Sequence, residues 1–298
     1  MKQNILRQNA FTFPIITSDI PEEHQVKSNN DEFAIIGDGH HRKTACQQLN
    51  IDVPEFRVNP DELTVKSWGR LFREIQPNNF ESIKRQFQLQ PNTDCGRGNR
   101  RTVIIYLGTH YVFDPNAPIY QNLVKRTLHY EESRGISISE SARNRLVEYK
   151  LSDLFSKSLS WSQGVFVEDE ALNDAQLPEC DVFIVTPRFE YKEIVEITYI
   201  AGLILVAKAT RMILAKSGRP IFLPIPLLFL SDPNLTTLEK TQLLQSALTE
   251  VEFEELSDVE KRKLAKIDRP YPEKLYAPLW TSVTRTKWLW RHFRYWIR

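Results

Sequence analysis

One segment near the N-terminus constrains the fold more than any other part of the chain. An apolar run at residues 33–36 leads into Gly37-Asp38-Gly39, and a helical pattern then continues to Leu49. Two glycines within three residues give the backbone access to positive φ angles that other residues avoid. The segment therefore predicts a strand that ends in a tight turn and leads directly into a helix.

A turn of this kind at the start of a helix is a general binding site for anions. Backbone N–H groups of the first helical turn point toward the ligand, and the helix dipole favours negative charge. His40 and His41 add donors, and Arg42 adds a guanidinium fork that matches phosphate. Gly39 lets the backbone approach closely, and Asp38 can accept a substrate proton or help to hold Mg²⁺. A solvated polar turn and a histidine metal site are the alternatives.

Composition and charge exclude several classes of protein. With 298 residues and a net charge of +1, the chain has no global attraction to nucleic acid or membranes, and a small-molecule ligand fits better. No apolar stretch reaches the roughly 20 residues that a bilayer requires, and no signal peptide is evident. The three cysteines are widely spaced and form no Cys-x-x-Cys pair, which argues against a zinc ribbon or a disulfide framework. We therefore predict a cytoplasmic protein with no membrane partner.

The pattern of apolar runs and helical stretches predicts an α+β fold. Strands are expected at 13–17, 33–36 and 53–58, and a helix is expected from residue 61 to residue 74. Further on, 102–113 predicts a hairpin and 221–230 a strand, while 237–266 is helical and charged. The aromatic and basic run at the C-terminus, 287–298, is expected to dock on the body of the protein rather than bind nucleic acid. The predicted domains are 1–76, 77–235 and 236–298.

Two groups of residues together resemble a known family. The first group surrounds the glycine turn and the second lies near residue 210. They are Asp38-Gly39-His40-His41-Arg42, Leu49, Val53-Pro54, Val65 and Trp68, and then Lys208-Ala209-Thr210-Arg211, Arg219 and Pro226-Leu227. This pattern is similar to that of the free L-serine kinases of the ParB/sulfiredoxin superfamily. It looks closest to the kinase-like members found in siderophore gene clusters, which make O-phosphoserine.

The resemblance implies a ParB/sulfiredoxin-like α/β domain at 1–76, followed by a larger mixed α/β region that completes the substrate site. By the same resemblance, the phosphates of ATP or ADP, with Mg²⁺, bind at the stretch from Gly39 through His40 and His41 to Arg42. Trp68, Thr210 and Arg211 then surround the amino acid. The implied reaction converts L-serine to O-phospho-L-serine for siderophore or amino-acid biosynthesis.

Two departures from the family pattern keep a second function open. The catalytic glutamate that the family carries upstream of its first matching strand is not found in this chain, which leaves Asp38 as the substitute base. Met212 stands where the family usually has a histidine after Thr210-Arg211. The alternative is therefore a catalytically weak, ParB-like module that binds nucleotide and regulates DNA or a protein partner. The small net charge makes DNA the weaker of these two partners.

Overall fold

The computed structural model describes residues 2–21, 34–92, 100–159, 164–168, 181–203, 205, 209–214, 217–265 and 273–297. The α-helices are α1 (Lys2–Gln8), α2 (His40–Leu49), α3 (Pro77–Phe87), α4 (Pro118–Arg134), α5 (Glu140–Ser158), α6 (Tyr191–Val195), α7 (Leu227–Leu230), α8 (Thr237–Leu248), α9 (Asp258–Ala265) and α10 (Ser282–Phe293). The strands are β1 (Ala10–Phe11), β2 (Ile15–Asp19), β3 (Ala34–Asp38), β4 (Glu55–Val58), β5 (Leu63–Lys66), β6 (Trp68–Phe72), β7 (Leu89–Pro91), β8 (Val103–Tyr106), β9 (Thr109–Phe113), β10 (Val165–Glu168), β11 (Val182–Val185), β12 (Arg211–Leu214), β13 (Arg219–Pro220), β14 (Ile225–Pro226), β15 (Phe253–Glu255) and β16 (Leu275–Pro278). The predicted mixed α and β fold class is confirmed.

The chain forms two compact units, each assembled from separated stretches. Unit 1 takes its residues from Met1–Ile20, Asn30–Thr64 and Ile213–Arg298, and unit 2 from Pro21–Asn29 and Val65–Met212. These units differ from the predicted consecutive domains 1–76, 77–235 and 236–298, because the C-terminal stretch belongs to the same unit as the N-terminal one. In unit 1, Phe11 and Cys46 share one apolar core with Phe229, Trp288 and Phe293.

The glycine turn of unit 1 lies at the edge of a three-stranded sheet in the order β3-β2-β4. β2 pairs antiparallel with β3 and parallel with β4, and α2 connects β3 to β4. α2 ends at Asn50, whose φ of 51° is the left-handed conformation common at helix C-termini. The strands predicted at 13–17, 33–36 and 53–58 and the helix up to Leu49 are confirmed, with ends shifted by one or two residues.

The C-terminal aromatic run docks as a helix within unit 1, as the sequence predicts. The indole N–H of Trp288 donates to the carbonyl oxygen of Ala247 at 2.9 Å. The ring of Phe293 lies 5.2 Å from that of Trp288, centroid to centroid. Trp296 donates from its indole to Asp232 Oδ2 at 2.7 Å. Buried rings and satisfied indole N–H groups explain why this segment packs on the protein.

Unit 2 is built on a six-stranded sheet in the order β10-β6-β11-β8-β9-β7. The predicted hairpin at 102–113 is β8 and β9, which turn at Gly108 with a φ of 69°. Aromatic side chains dominate the core against this sheet, and Phe80, Phe113 and Phe155 are almost fully buried. Helices α4 and α5 follow the hairpin along the chain, and Ser139 caps the start of α5.

Two local predictions are wrong, because tertiary pairing overrides the local pattern. The predicted helix at 61–74 is instead a short 3₁₀ turn (Pro60–Glu62) followed by β5 and β6. β6 lies between β10 and β11, and all its residues except Trp68 are buried there. Pro77, at the predicted boundary between the first two domains, begins α3. The predicted strand at 221–230 contains only the two residues of β14, and α7 follows it.

None of the helices in these described ranges combines the length and the apolar character that crossing a bilayer requires.

Candidate functional site

The glycine turn has a backbone shape that only glycine adopts readily. Gly39 is the N-cap of α2, with φ 105° and ψ 18°. A Cβ atom at this position would lie 2.6 Å from Cγ2 of Ile15 and 2.9 Å from Nη2 of Arg42. Conformation and space therefore both require glycine, and the predicted strand, turn and helix are confirmed here. Phosphate binding by this turn stays a prediction.

The N-terminus of α2 is open to a ligand. Gly39 has no side chain with which to cap the helix, and no side chain in the described part of the chain forms a cap hydrogen bond there. Its carbonyl oxygen accepts the first helical hydrogen bond, from Lys43 N at 2.9 Å. His40 and His41 are exposed on the first turn. The N–H groups of this turn, with the positive end of the helix dipole, therefore suit an anion.

A cluster of charged side chains adjoins the open helix start. Asp38 Oδ2 accepts from Arg42 Nη2 at 2.9 Å and from Arg219 Nη1 at 3.0 Å. Arg42 Nη2 also lies 3.4 Å from the carbonyl oxygen of Pro14. On the far side, Arg219 Nη2 pairs with Glu273 Oε2 at 3.2 Å. Two guanidinium groups thus meet at one carboxylate beside the first turn of α2.

The electrostatics of this cluster limit what Asp38 can do chemically. Burial by itself raises the pKa of Asp38, but the charges and hydrogen bonds of Arg42 and Arg219 outweigh it and lower the pKa below its usual value. Asp38 is therefore ionised at neutral pH and is a weaker base than an ordinary aspartate. Desolvation lowers the pKa of His40, and the negative charge of Asp38 offsets this only in part.

Two members of the cluster were not assigned to the site from the sequence. Arg219 belonged to the family pattern without a role, and Glu273 carried no local signal at all. The parallel pairing of β13 with β16 brings them together, since Arg219 pairs with Leu275 in that register. Glu273 is buried, and its Oε1 accepts from the backbone N–H of Leu214 at 3.0 Å. This carboxylate therefore holds Arg219 in place.

The residues that were predicted to bind the amino-acid substrate lie in unit 2. The guanidinium carbon of Arg211 lies 5.3 Å from the ring centroid of Trp68, a cation–π contact. Trp68 is half-buried at the start of β6, and its carbonyl oxygen accepts from Thr186 Oγ1 at 2.8 Å. Thr210 directly precedes Arg211 and is half-buried. The structure brings Trp68 and Arg211 together, whereas Lys208 of the family pattern lies outside the described residues.

The arrangement of His, Cys, Asp and Glu side chains in the described residues does not support a dedicated metal centre. Within the described ranges, no group of three or more His, Cys, Asp or Glu side chains is placed to hold a metal ion. Burial raises the pKa of the Cys46 thiol to about 11, so this cysteine is unreactive. Near α2, a Mg²⁺ ion would need phosphate and water oxygens for most of its ligands, with the Asp38 carboxylate as a protein ligand.

Comparison with solved structures agrees with the α+β fold class. No protein-family description and no curated protein matches the chain. SbnI from Staphylococcus aureus, with a C-terminal truncation, is 16% identical with a TM-score of 0.58, covering 84% of this chain and 86% of that one. A free serine kinase variant in complex with ADP is 15% identical with a TM-score of 0.47. That match covers 77% of this chain and 84% of the kinase chain. At such identities the similarity to SbnI shows a shared fold, and function must be argued from this chain's residues.

Proposed function

We propose that this protein binds a nucleotide by its phosphates at the start of α2 and transfers a phosphoryl group to a free amino acid. The donor is ATP or ADP with Mg²⁺, and the acceptor is the hydroxyl group of L-serine, giving O-phospho-L-serine. One observation carries the proposal: two arginines meet at the Asp38 carboxylate beside an uncapped helix N-terminus. The family resemblance supplies the choice of acceptor.

The cluster suits phosphate because its guanidinium groups are already positioned. In the free protein, Asp38 offsets the mutual repulsion of Arg42 and Arg219 and holds both near the turn. Phosphate oxygens offer the same kind of acceptor in a geometry that matches a guanidinium fork. The N–H groups of the first turn of α2 add donors that need no rearrangement. A bound phosphate would therefore share the arginines with Asp38, and Mg²⁺ would reduce the repulsion between the two anions.

Chemistry at this site would depend on positioning and charge neutralisation. The lowered pKa makes Asp38 a poor acceptor for the serine proton. Phosphoryl transfer passes through a loose transition state in which charge neutralisation contributes most of the catalysis. Arg42 and Arg219 would neutralise charge on the transferring group, while Asp38 orients them and takes the proton late.

For the amino acid, we assign Arg211 to the carboxylate and Trp68 to the wall of the pocket, with the hydroxyl group of Thr210 as a further hydrogen-bonding group. The cation–π contact supports this assignment, because it places the planar guanidinium of Arg211 beside the ring that would form the wall. A planar fork of donors is the usual partner of a carboxylate.

The direct test is product formation. Purified protein is incubated with Mg²⁺, L-serine and either ATP or ADP, and O-phosphoserine is measured by mass spectrometry. We expect product from at least one donor, a higher KM for the nucleotide in Arg42→Ala, and a higher KM for serine in Arg211→Ala. Absence of product with both donors would contradict the kinase proposal.

A second function, a nucleotide-binding regulatory module, is favoured by the pairing of Asp38. A carboxylate held between two arginines is well suited to retain a ligand-binding cluster and poorly suited to serve as a base. Calorimetry separates the two functions. Nucleotide binding without turnover, coupled to a change in affinity for DNA or a protein partner, would support the regulatory module.

A further inference from the structure

Two exposed aromatic side chains in unit 1 lie within a few residues, along the chain, of groups in the charged cluster. Phe13 and Phe222 are each 38% exposed, and their ring centroids lie 6.3 Å apart at an interplanar angle of 73°. Phe13 directly precedes Pro14, whose carbonyl oxygen Arg42 contacts. Phe222 follows Arg219 by three residues, a span of at most about 10 Å. Both rings are thus tied by short backbone segments to the side chains proposed to bind phosphate.

The backbone at Phe222 has a conformation that is unfavourable for a bulky residue. Its φ is 61°, in the left-handed region. The chain changes partners there: Ile221 N donates to Tyr276 O, and Leu223 N donates to Thr12 O, each at 2.8 Å. Glycine would make the same turn without strain. A strained residue that is also large, aromatic and half-exposed is a feature that concentrates at ligand-binding sites.

A third side chain extends the aromatic pair into a surface suited to a flat, electron-rich ring. The guanidinium carbon of Arg285, in the first turn of α10, lies 5.5 Å from the ring centroid of Phe222. Aromatic rings combined with an arginine are the usual stacking surface for nucleobases, and they stack with any base through its π face. A purine offers a larger stacking area than a pyrimidine.

We infer that Phe13 and Phe222 stack against the purine base of the nucleotide whose phosphates bind at the start of α2. The inference rests on the proposed function, since it needs the phosphates at Asp38 and Arg42. It adds what the phosphate cluster lacks, because charges and helix N–H groups do not distinguish a nucleotide from inorganic polyphosphate. Phe13 and Phe222 would supply that distinction.

The test compares ligands that share phosphates but differ in the base. Affinities for ADP, ATP and inorganic tripolyphosphate are measured by calorimetry for the wild type, Phe13→Ala and Phe222→Ala. We expect each substitution to weaken ADP and ATP binding by about 10-fold, as removal of a stacking aromatic does. Tripolyphosphate binding should change little. Tyr295→Ala is the matched control, because that aromatic is 73% exposed in the same unit but has no proposed role.

Two more variants separate a binding role from a structural one. Phe222→Gly relieves the backbone strain, so its melting temperature should be equal to or above that of the wild type while its ADP affinity falls as in Phe222→Ala. Phe222→Trp keeps a stacking ring and should retain affinity. An unchanged ratio of ADP to tripolyphosphate affinity in Phe13→Ala and Phe222→Ala overturns the base contact alone. If the wild type binds neither ligand, the proposed function fails and this inference fails with it.

Discussion

The substitution Asp38→Asn examines the charged cluster most directly. It keeps the size of the side chain and removes the charge that both Arg42 and Arg219 contact, at 2.9 and 3.0 Å. The Asp38 side chain is 46% exposed, so solvent screens both pairs. Exposed ion pairs contribute roughly 0.2–1 kcal/mol each, and two of them give a loss of about 0.5–2 kcal/mol in the free energy of unfolding at pH 7.

The pH dependence of that loss follows from the lowered pKa of Asp38. A group whose pKa is lower in the folded state stabilises the protein above its unfolded pKa, here near 3.8, the ordinary value for an aspartate. The stabilisation disappears as the pH falls through the folded pKa. Urea unfolding should therefore show a constant difference between Asp38→Asn and the wild type from pH 5 to 8, and a shrinking difference below the ordinary aspartate pKa.

Ligand affinity should move in the opposite direction. Without Mg²⁺, Asp38 competes with phosphate for the two guanidinium groups, so Asp38→Asn should bind tripolyphosphate several-fold more tightly. Each 1.4 kcal/mol of interaction between Asp38 and the arginines that no longer opposes binding raises the affinity about tenfold. Any strengthening of ATP binding by Mg²⁺ should be smaller in the variant than in the wild type, because one oxygen ligand is gone.

Asp52→Asn is the control for this experiment. Asp52 pairs with Lys240 at 2.6 Å in the same unit, and its side chain is 42% exposed, close to the value for Asp38. It should lose a comparable or smaller amount of stability and leave tripolyphosphate affinity unchanged. Equal or weaker tripolyphosphate binding by Asp38→Asn, measured without Mg²⁺, would refute the idea that phosphate shares these arginines.

Substitutions at Gly39, His40, Arg211 and Trp68 test the remaining assignments. Gly39→Ala should lower the free energy of unfolding by about 2–5 kcal/mol, because it adds backbone strain and overpacking. Gly135→Ala is the control and should lower it by only about 1–2 kcal/mol. At Gly135 the φ of 62° would strain an alanine, but a Cβ atom there meets nothing within 4 Å. Equal losses in urea unfolding would contradict the crowding at Gly39. Because the pKa of His40 is lowered, its imidazole gains a positive charge only as the pH falls below about 6.5. Tripolyphosphate affinity should therefore rise below that pH. His40→Asn should lack this rise when affinity is measured by calorimetry from pH 8 to 5. Arg211→Lys keeps the charge but loses the planar fork, so the KM for serine should rise roughly tenfold in a coupled assay while nucleotide affinity stays constant. Trp68→Ala should also raise the KM for serine. A change in nucleotide affinity in place of the change in KM would contradict the assignment of Arg211 and Trp68 to the amino acid.

Local chemistry in the sequence determined the glycine turn and the elements on either side of it. The apolar run before Gly39 and the helical pattern after it depend on neighbours a few residues apart, so the strand, turn and helix follow directly. The hairpin at Gly108 also follows from the local sequence. So does the docking of the segment around Trp288, because its large apolar rings favour burial in a core.

Only the tertiary structure decided which distant side chains complete the cluster. Arg219 pairs with Asp38 across a separation of 181 residues along the chain. Glu273 joins Arg219 because β13 pairs with β16, although more than fifty residues separate the two side chains in sequence. Trp68 lies on a strand rather than on the predicted helix because β10 and β11 supply its sheet partners. Strand pairing over such separations depends on closing long loops and burying shared surface, and local periodicity carries no record of which strands will meet.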